Sequence, residues 1–448
     1  MGSDIDSLTA NQEAPLKGRL SGLLPIAVFL VLFIGSGVVM QNFYAMPAIV
    51  AFLCALVVAF LQNPKETLDD KLEVIARSMG DTNVMVMCLV FVLAGAFTGA
   101  IQAAGGVEST VNFSLSVLPT GIVVAGLFLI ACFISLSMGT SVGTIAALAP
   151  IAIGIADKTG LSGALCLGAV VGGAMFGDNL SMISDTTIAA TRTQGCKMDE
   201  KFKENFKIAL PAAVVAFCLF LALGLGSSYS LEGPLDYNLW QVLPYIVVLV
   251  AALAGVNVFV VLIVGTVLSV VVGVACGTIA PVDIFVVIGS GPDGKSGVMN
   301  MYDITVISIV CSGIIGLVKA NGGIDWILGR IRSAVKSKRG AQFGIAALSS
   351  LMDISTANNT VAIVMAGPIA RDIAEEYRIS PRRTASILDV FTSVWQGIIP
   401  YGAQLLYASA GAAAVGMAVT PFEIVPYLFY PYLLGLCGLG YIALRGTR

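Results

Sequence analysis

Histidine is absent from all 448 residues. Ser-His and Cys-His dyads and the His-Glu-x-x-His zinc motif are thereby excluded. Any proton exchanged near neutral pH has to ride on a carboxylate tuned by its surroundings. Charge is the second shortage. Only 11% of the residues are Asp, Glu, Lys or Arg, against roughly 25% in soluble proteins. With 57% hydrophobic residues and a mean hydropathy of +0.93, the chain belongs in lipid. A net charge of −3 leaves no broad basic face, so nucleic acid is not an expected partner. The nine cysteines include no Cys-x-x-Cys pair and mostly lie inside apolar runs, so they read as packing residues rather than a zinc site or a disulfide framework. No cleavable signal is read at the N-terminus: residues 1–19 are mixed and partly acidic, a cytoplasmic tail. The run from Ser21 to Met40 exceeds a signal core of roughly 7–15 residues.

What is present is length and apolarity enough for a polytopic, all-α membrane protein. About 20 apolar residues cross a bilayer core as a helix. Ten stretches approach that: about 20–40, 43–61, 82–104, 163–190, 207–228, 238–254, 256–276, 303–320, 384–409 and 424–445. Two more, about 121–157 and 341–375, are each interrupted by a polar cluster and read as re-entrant hairpins. With that layout every basic residue of the 24 except Lys158 and Lys295 falls in inside loops, as the positive-inside rule expects. Both termini are then cytoplasmic, in a bacterial inner membrane.

The chain also repeats itself. Gly99–Glu108 matches Gly316–Asp325 at an offset of 217, and Pro150–Asp157 matches Pro368–Glu375 at 218. Residues 20–228 and 238–445 thus form two repeats of five spans each. An odd number of spans inverts the second repeat, the architecture of many secondary transporters. Residues 64–77 carry charges and apolar residues at helical spacing, suiting an interfacial helix. Their counterpart is Pro281–Lys295.

Non-helical backbone at membrane depth persists only when buried in protein or facing a water-filled cavity. Four polar clusters sit at that depth. The hairpin tips carry Thr140, Ser141 and Thr144 in one case, and Asp353, Ser355, Thr356, Asn358, Asn359 and Thr360 in the other. The following spans carry Asp178, Asn179, Ser181, Ser184, Asp185 and Thr186, and Gln396, Tyr401 and Gln404, with Gly177, Gly397 and Pro400 as helix breakers. Four chain breaks would then meet at the centre. Hydroxyl, amide and carbonyl oxygens suit a small hard cation, and the expected Na⁺ ligands are Asp178, Asn179, Thr140 and Ser141. Helix N-termini after Thr144 and Thr360 would favour a carboxylate group. An intramembrane Asp costs about 2.5–3.5 kcal/mol, so it needs a partner or a role. Na⁺ and H⁺ competing for one carboxylate is the least that antiport requires.

Plainer roles stand beside these. Asp353 could cap the second hairpin arm, Ser184-Asp185-Thr186 could cap a half-helix, and Asp389 could pair with Arg382 or Arg383. A channel would share the broken helices but not the occluding hairpins. Asp178 and Asp185 as an intramembrane acid pair are seven residues apart among Ser and Thr, so enzymatic turnover is not expected.

The segment Phe176-Gly177-Asp178-Asn179-Leu180-Ser181-Met182-Ile183-Ser184-Asp185-Thr186-Thr187 resembles the Phe-Gly-Asp-x-x-Ser-Pro-x-Ser-Asp-Thr-Thr stretch of the NhaC-type sodium/proton antiporter family. Met182 stands where that family often has Pro. The similarity extends to Gly105-Gly106, Gly322-Gly323 and Ile399-Pro400-Tyr401-Gly402. It implies a Na⁺/H⁺ antiporter that uses no cofactor beyond Na⁺ as the transported or coupling ion. It also implies a homodimer in membrane lipid, with a mobile transport domain working as an elevator against a fixed scaffold. Relatives in the family that carry organic acids or amino acids keep a second reading open: a Na⁺- or H⁺-coupled carrier of an amino acid or small carboxylate.

Overall fold

The computed structural model describes residues 18–445 apart from 40–45, 118, 183, 227–234, 255, 293–296 and 335. Most of the expected tail, 1–17, lies outside the described residues. Among them there are helices, turns and no strand. The order is α1 Leu24–Val39, α2 Ala48–Leu61, α3 Leu68–Met79, α4 Thr82–Ala103, α5 Gly106–Val117, α6 Thr120–Met138, α7 Ser141–Thr159, α8 Gly163–Leu180, α9 Asp185–Gln194 and α10 Met198–Gly226. There follow α11 Leu239–Leu253, α12 Val258–Ala275, α13 Ile284–Ser290, α14 Tyr302–Ala320, α15 Gly323–Ala334, α16 Lys338–Thr356, α17 Asn359–Glu376, α18 Pro381–Gln396, α19 Ala403–Ala414, α20 Pro421–Ile424 and α21 Phe429–Arg445. The starts of α6, α7, α8 and α9 recur 218 residues later, to the residue, as the starts of α16, α17, α18 and α19.

Local chemistry explains the key boundaries. Gly139 adopts φ 69°, a left-handed conformation that costs glycine little, and ends α6. Thr140 then caps α7 by accepting from the Gly143 N–H. In the second hairpin Ala357 takes the left-handed position (φ 49°) and Asn358 caps α17 through the Val361 N–H. The helices therefore begin at Ser141 and Asn359, not after Thr144 and Thr360, and the cap is Asn358 rather than Asp353. The charged stretch at 64–77 forms α3, opened by a Thr67–Asp70 capping box.

Among the described residues six helical stretches are long and apolar enough to cross a membrane, or eight if two bent pairs each count as one span, with four shorter apolar helices besides. That is fewer full-length spans than ten, because the second broken segment splits into two short helices and α1, α2 and α11 are short. The hairpin arm α7 is, at 19 residues, itself long enough to be a span. α8 and α9 follow each other along one 32-residue path, Gly163–Gln194.

Packing divides into two sets. α6 lies along α8, α16 along α18, and α10 touches α6, α8, α18 and α21. Elsewhere α12 packs on α4, and α14 on α2 and α3. Contact between α6 and α8 is close because Gly173 and Gly177 carry no side chain: a Cβ on Gly173 would lie 2.3 Å from the Phe128 carbonyl oxygen. The two halves are interleaved, with α7 against α19 and α17 against α9.

Candidate functional site

The four polar clusters do converge. They wall a cavity of about 380 Å³ between Thr140 and Ser141 on the first tip, Asn358, Asn359 and Thr360 on the second, Asp178, Asp185 and Thr186 on the first broken helix, and Gln396 and Gln404 on the second. The N-terminal half of α4, with Val86 and Val90, and the start of α12, with Asn257 and Phe259, complete the wall. Asn257 went unnoticed in the sequence, where it is a single polar residue at a span boundary. Its side chain caps α12 by accepting from the Phe259 N–H at 2.9 Å.

One chain of hydrogen bonds joins all four breaks. Gln396 Nε2 donates to the Ala357 carbonyl (3.2 Å) and to Gln404 Oε1. Gln404 Nε2 donates to Ser141 Oγ at 3.1 Å, and Ser141 Oγ donates to Asp178 Oδ2 at 2.8 Å. Asp178 lies in the last turn of α8, with the break just beyond it from Ser181 to Ser184. The residue is only 7% exposed. Asp185 opens α9 and is exposed to the cavity. Among the described residues no Lys or Arg lines this cavity. Two carboxylates with no facing cation make it a place for positive charge.

The other expected site residues do different work. Asn179 is not with Asp178. Its amide Nδ2 donates to Asp389 Oδ2 (2.8 Å) and Ser393 Oγ (3.3 Å), and its carbonyl accepts from Lys201 Nζ (2.9 Å). Adjacent residues on a helix point about 100° apart, so the two cannot share one face. Ser181 is buried, and its carbonyl accepts from Thr187 Oγ1 at 2.7 Å. Ser184 caps α9 by accepting from the Thr187 N–H at 3.2 Å, the plainer role foreseen for it. Thr144 Oγ1 donates to the Thr140 carbonyl (2.9 Å), and Ser355 Oγ to the Leu351 carbonyl (2.7 Å). Thr356 and Tyr401 border a separate small pocket, and the Tyr401 hydroxyl donates to the Ile354 carbonyl at 2.7 Å. Asp353 is wholly buried inside α16, one turn before the tip, and neither carboxyl oxygen meets a donor.

A buried ion pair lies beneath the first break. Lys201 Nζ sits 2.6 Å from Asp389 Oδ2, with side chains 1% and 0% exposed. Asn205 Nδ2 also donates to Asp389 Oδ2 (2.7 Å), and Lys201 Nζ to Thr187 Oγ1 (2.7 Å). Asp389 therefore pairs with neither Arg382 nor Arg383. Arg383, six residues earlier on the same helix, faces away and donates through Nε to Gln342 Oε1. Arg382 is two turns, about 10 Å, distant along the axis. Lys201, assigned by the sequence to an inside loop, is instead a core residue.

Comparison with known proteins places the chain in a family. The profile of the Na⁺/H⁺ antiporter family matches residues 17–225 and again residues 208–444. Among similar proteins, the malate-2H⁺/Na⁺-lactate antiporter of Bacillus subtilis is 22% identical over 87% of this chain and 88% of its own. The Na⁺/H⁺ antiporter NhaC of Alkalihalophilus pseudofirmus is 22% identical over 85% and 87%. The arginine/ornithine antiporter ArcD of Halobacterium salinarum is 23% identical over 88% and 85%. With both halves matched by the family profile and relatives aligned over most of their length, this chain is a multi-pass membrane protein that belongs to the Na⁺/H⁺ antiporter family and is of NhaC type.

Proposed function

We propose that the protein exchanges Na⁺ for H⁺ by alternating access, with Asp178 as the carboxylate for which the two ions compete. The observation that carries this is the Ser141–Asp178 contact at 2.8 Å, in a cavity lined, among the described residues, by two carboxylates and no basic side chain. Asp178 would hold Na⁺ together with oxygens of Ser141 and Thr140. A protonated Asp178 and an Asp178–Na⁺ pair are both neutral, whereas the bare carboxylate carries a charge that costs about 2.5–3.5 kcal/mol at mid-membrane. Only the loaded forms cross readily, and that is the coupling.

The hydrogen-bond chain through Gln404 and Gln396 ties both tips and both broken helices into one unit, which supports their moving together. The set around α6–α10 and α16–α19 would carry the ions, as an elevator, past α1–α4 and α11–α14. The matching helix starts 218 residues apart support two inverted repeats, with the hairpins entering from opposite sides. The positive-inside bias would turn the N-terminal ends of α4 and α12 toward the cytoplasm, and a cavity walled by the N-terminal half of α4 and the start of α12 would open inward. The scaffold helices would supply the face of a homodimer.

A second reading has its own support. A bare Na⁺ needs far less than about 380 Å³, and Asn257, Asn358, Asn359 and Gln404 offer more polar groups than one ion requires. Two of the similar proteins are named for organic acids and amino acids. The charge of this cavity favours a substrate with an ammonium group over a bare carboxylic acid.

Na⁺-dependent change of internal pH in proteoliposomes decides the matter. Proton efflux on Na⁺ addition, abolished by Asp178→Asn, is the expected result. A folded Asp178→Asn that still exchanges would remove Asp178 from its role. Silence of the wild type toward Na⁺ alone, with flux restored by an amino acid, would favour the second reading.

A further inference from the structure

A second polar cavity, of about 500 Å³, lies where α16 and α18 begin and α17 ends, away from the tips and breaks of the site described. It is walled by Lys207, Lys338, Arg378, Arg382, Arg383 and Arg445, and by a single acid, Glu204. The acid is already engaged: Lys207 Nζ lies 2.9 Å from Oε2, and the Tyr441 hydroxyl donates to Oε1 at 2.6 Å. Arg383 is held from below by Gln342 and stacks on the Tyr441 ring at 4.8 Å, with Arg445 near the same ring at 5.5 Å. Lys338, Arg378 and Arg382 meet no carboxylate among the described residues. The cavity thus has a strong surplus of positive charge, with planar guanidinium groups suited to bidentate contact with phosphate oxygens. α18 begins in its wall, adding the partial positive charge of a helix N-terminus.

The flanks say where the matching anion comes from. On α10, Phe206, Leu210 and Val214 are exposed (41%, 38% and 53%), and on α21 Leu436, Leu439 and Leu444 (65%, 43% and 82%). These apolar side chains run along the same two helices, α10 and α21, that border the basic cavity. A molecule with a phosphate head and two acyl chains satisfies both surfaces at once. We propose that this cavity binds the headgroup of an anionic phospholipid, whose acyl chains lie along α10 and α21. Because Lys338 and Arg378 flank the two ends of the second hairpin and Arg382 starts the second broken helix, the bound headgroup pins these elements to α10 and α21. The lipid is then a stabilising ligand of the ion-carrying helices, not bulk solvent.

Native mass spectrometry and thermal unfolding of the purified full-length protein test this, with phosphatidylglycerol, phosphatidylcholine and inorganic phosphate as separate additions. Arg378 and Arg382 are exposed, so Arg378→Gln/Arg382→Gln should fold; Lys338→Gln serves if that pair does not. Expected are retention of phosphatidylglycerol over phosphatidylcholine, a rise in unfolding temperature with phosphatidylglycerol alone, and at least tenfold weaker retention in the Arg variant. Lys203→Gln, which changes an exposed lysine outside the cavity, should behave as wild type. Equal retention of the two lipids, or an unchanged response in the Arg variant, overturns the proposal. A full response to inorganic phosphate alone keeps the phosphate chemistry but overturns the lipid as its source.

Discussion

Replacing Lys201 by Met removes the cation from a fully buried pair while keeping much of its volume. Asp389 is then left with the Asn179 and Asn205 amides, at 2.8 and 2.7 Å, as its remaining donors. Removing one partner of a buried pair costs about 3–5 kcal/mol, most of it the stranded charge. The two amides offset part of that, so the expected loss is near the lower end, about 3 kcal/mol. That is more than a hundredfold in the folded-to-unfolded ratio, since each 1.4 kcal/mol is about tenfold. Asp389→Asn, which strands the ammonium instead, should cost a similar amount. The double variant Lys201→Met/Asp389→Asn has no stranded charge and should lose clearly less than either single variant, leaving a coupling energy of about 3 kcal/mol or more. Unfolding by SDS titration in mixed micelles, run on all four proteins, measures it. A Lys201→Met protein within about 1 kcal/mol of wild type would refute the reasoning, as would single losses that simply add.

Three further outcomes follow from the same geometry. Ser141→Ala removes the donor to Asp178 and the acceptor for Gln404; with charged hydrogen bonds contributing about 1.5–3 kcal/mol, half-saturating Na⁺ should rise about tenfold or more in a flux assay. An unchanged Na⁺ dependence would detach Ser141 from the ion site. Lowering the external pH should raise half-saturating Na⁺, up to about tenfold per pH unit if one proton competes, and a pH-independent value would argue against a shared carboxylate. Gly177→Ala would place a Cβ 2.4 Å from the Leu136 amide nitrogen and 2.5 Å from the Cys132 carbonyl oxygen, where only backbone could yield. Size-exclusion chromatography should show loss of monodisperse protein, and a well-behaved, fully active variant would contradict the close α6–α8 contact.

How much of this was legible depended on whether the signal was local. Polar residues beside Gly or Pro inside apolar runs cannot be ordinary span interiors, and those clusters do meet at one cavity. The cap at Asn358 was one step harder, because Asp353 and Asn358 are both good capping types and only the left-handed turn at Ala357 tells them apart. Lys201 was unreadable for another reason. It stands among Asp199, Glu200 and Lys203 in a stretch that looks solvated. Only the fold shows that the first turn of α10 runs beneath the broken helix and that Lys201 reaches Asp389, far along the chain. The same holds for Asn205, whose partners are 26 and 184 residues away. Asn179 sits beside Asp178 in sequence, but the helix turns the two apart, and its amide reaches Asp389 and Ser393 instead.

The interleaving of α7 with α19 and α17 with α9 has a consequence for biosynthesis. Ser141 and Gln404 share a hydrogen bond across 263 residues, so the wall around Asp178 is finished only when about nine-tenths of the chain has been made. At about 5–20 residues per second, translation from one to the other takes roughly 13–50 s. During that interval the nascent chain carries Asp178 without its final enclosure. A chain cut between α10 and α11 would yield two fragments, each with one tip and one broken helix and neither with a closed cavity. Transport by the co-expressed fragments would therefore report their assembly directly.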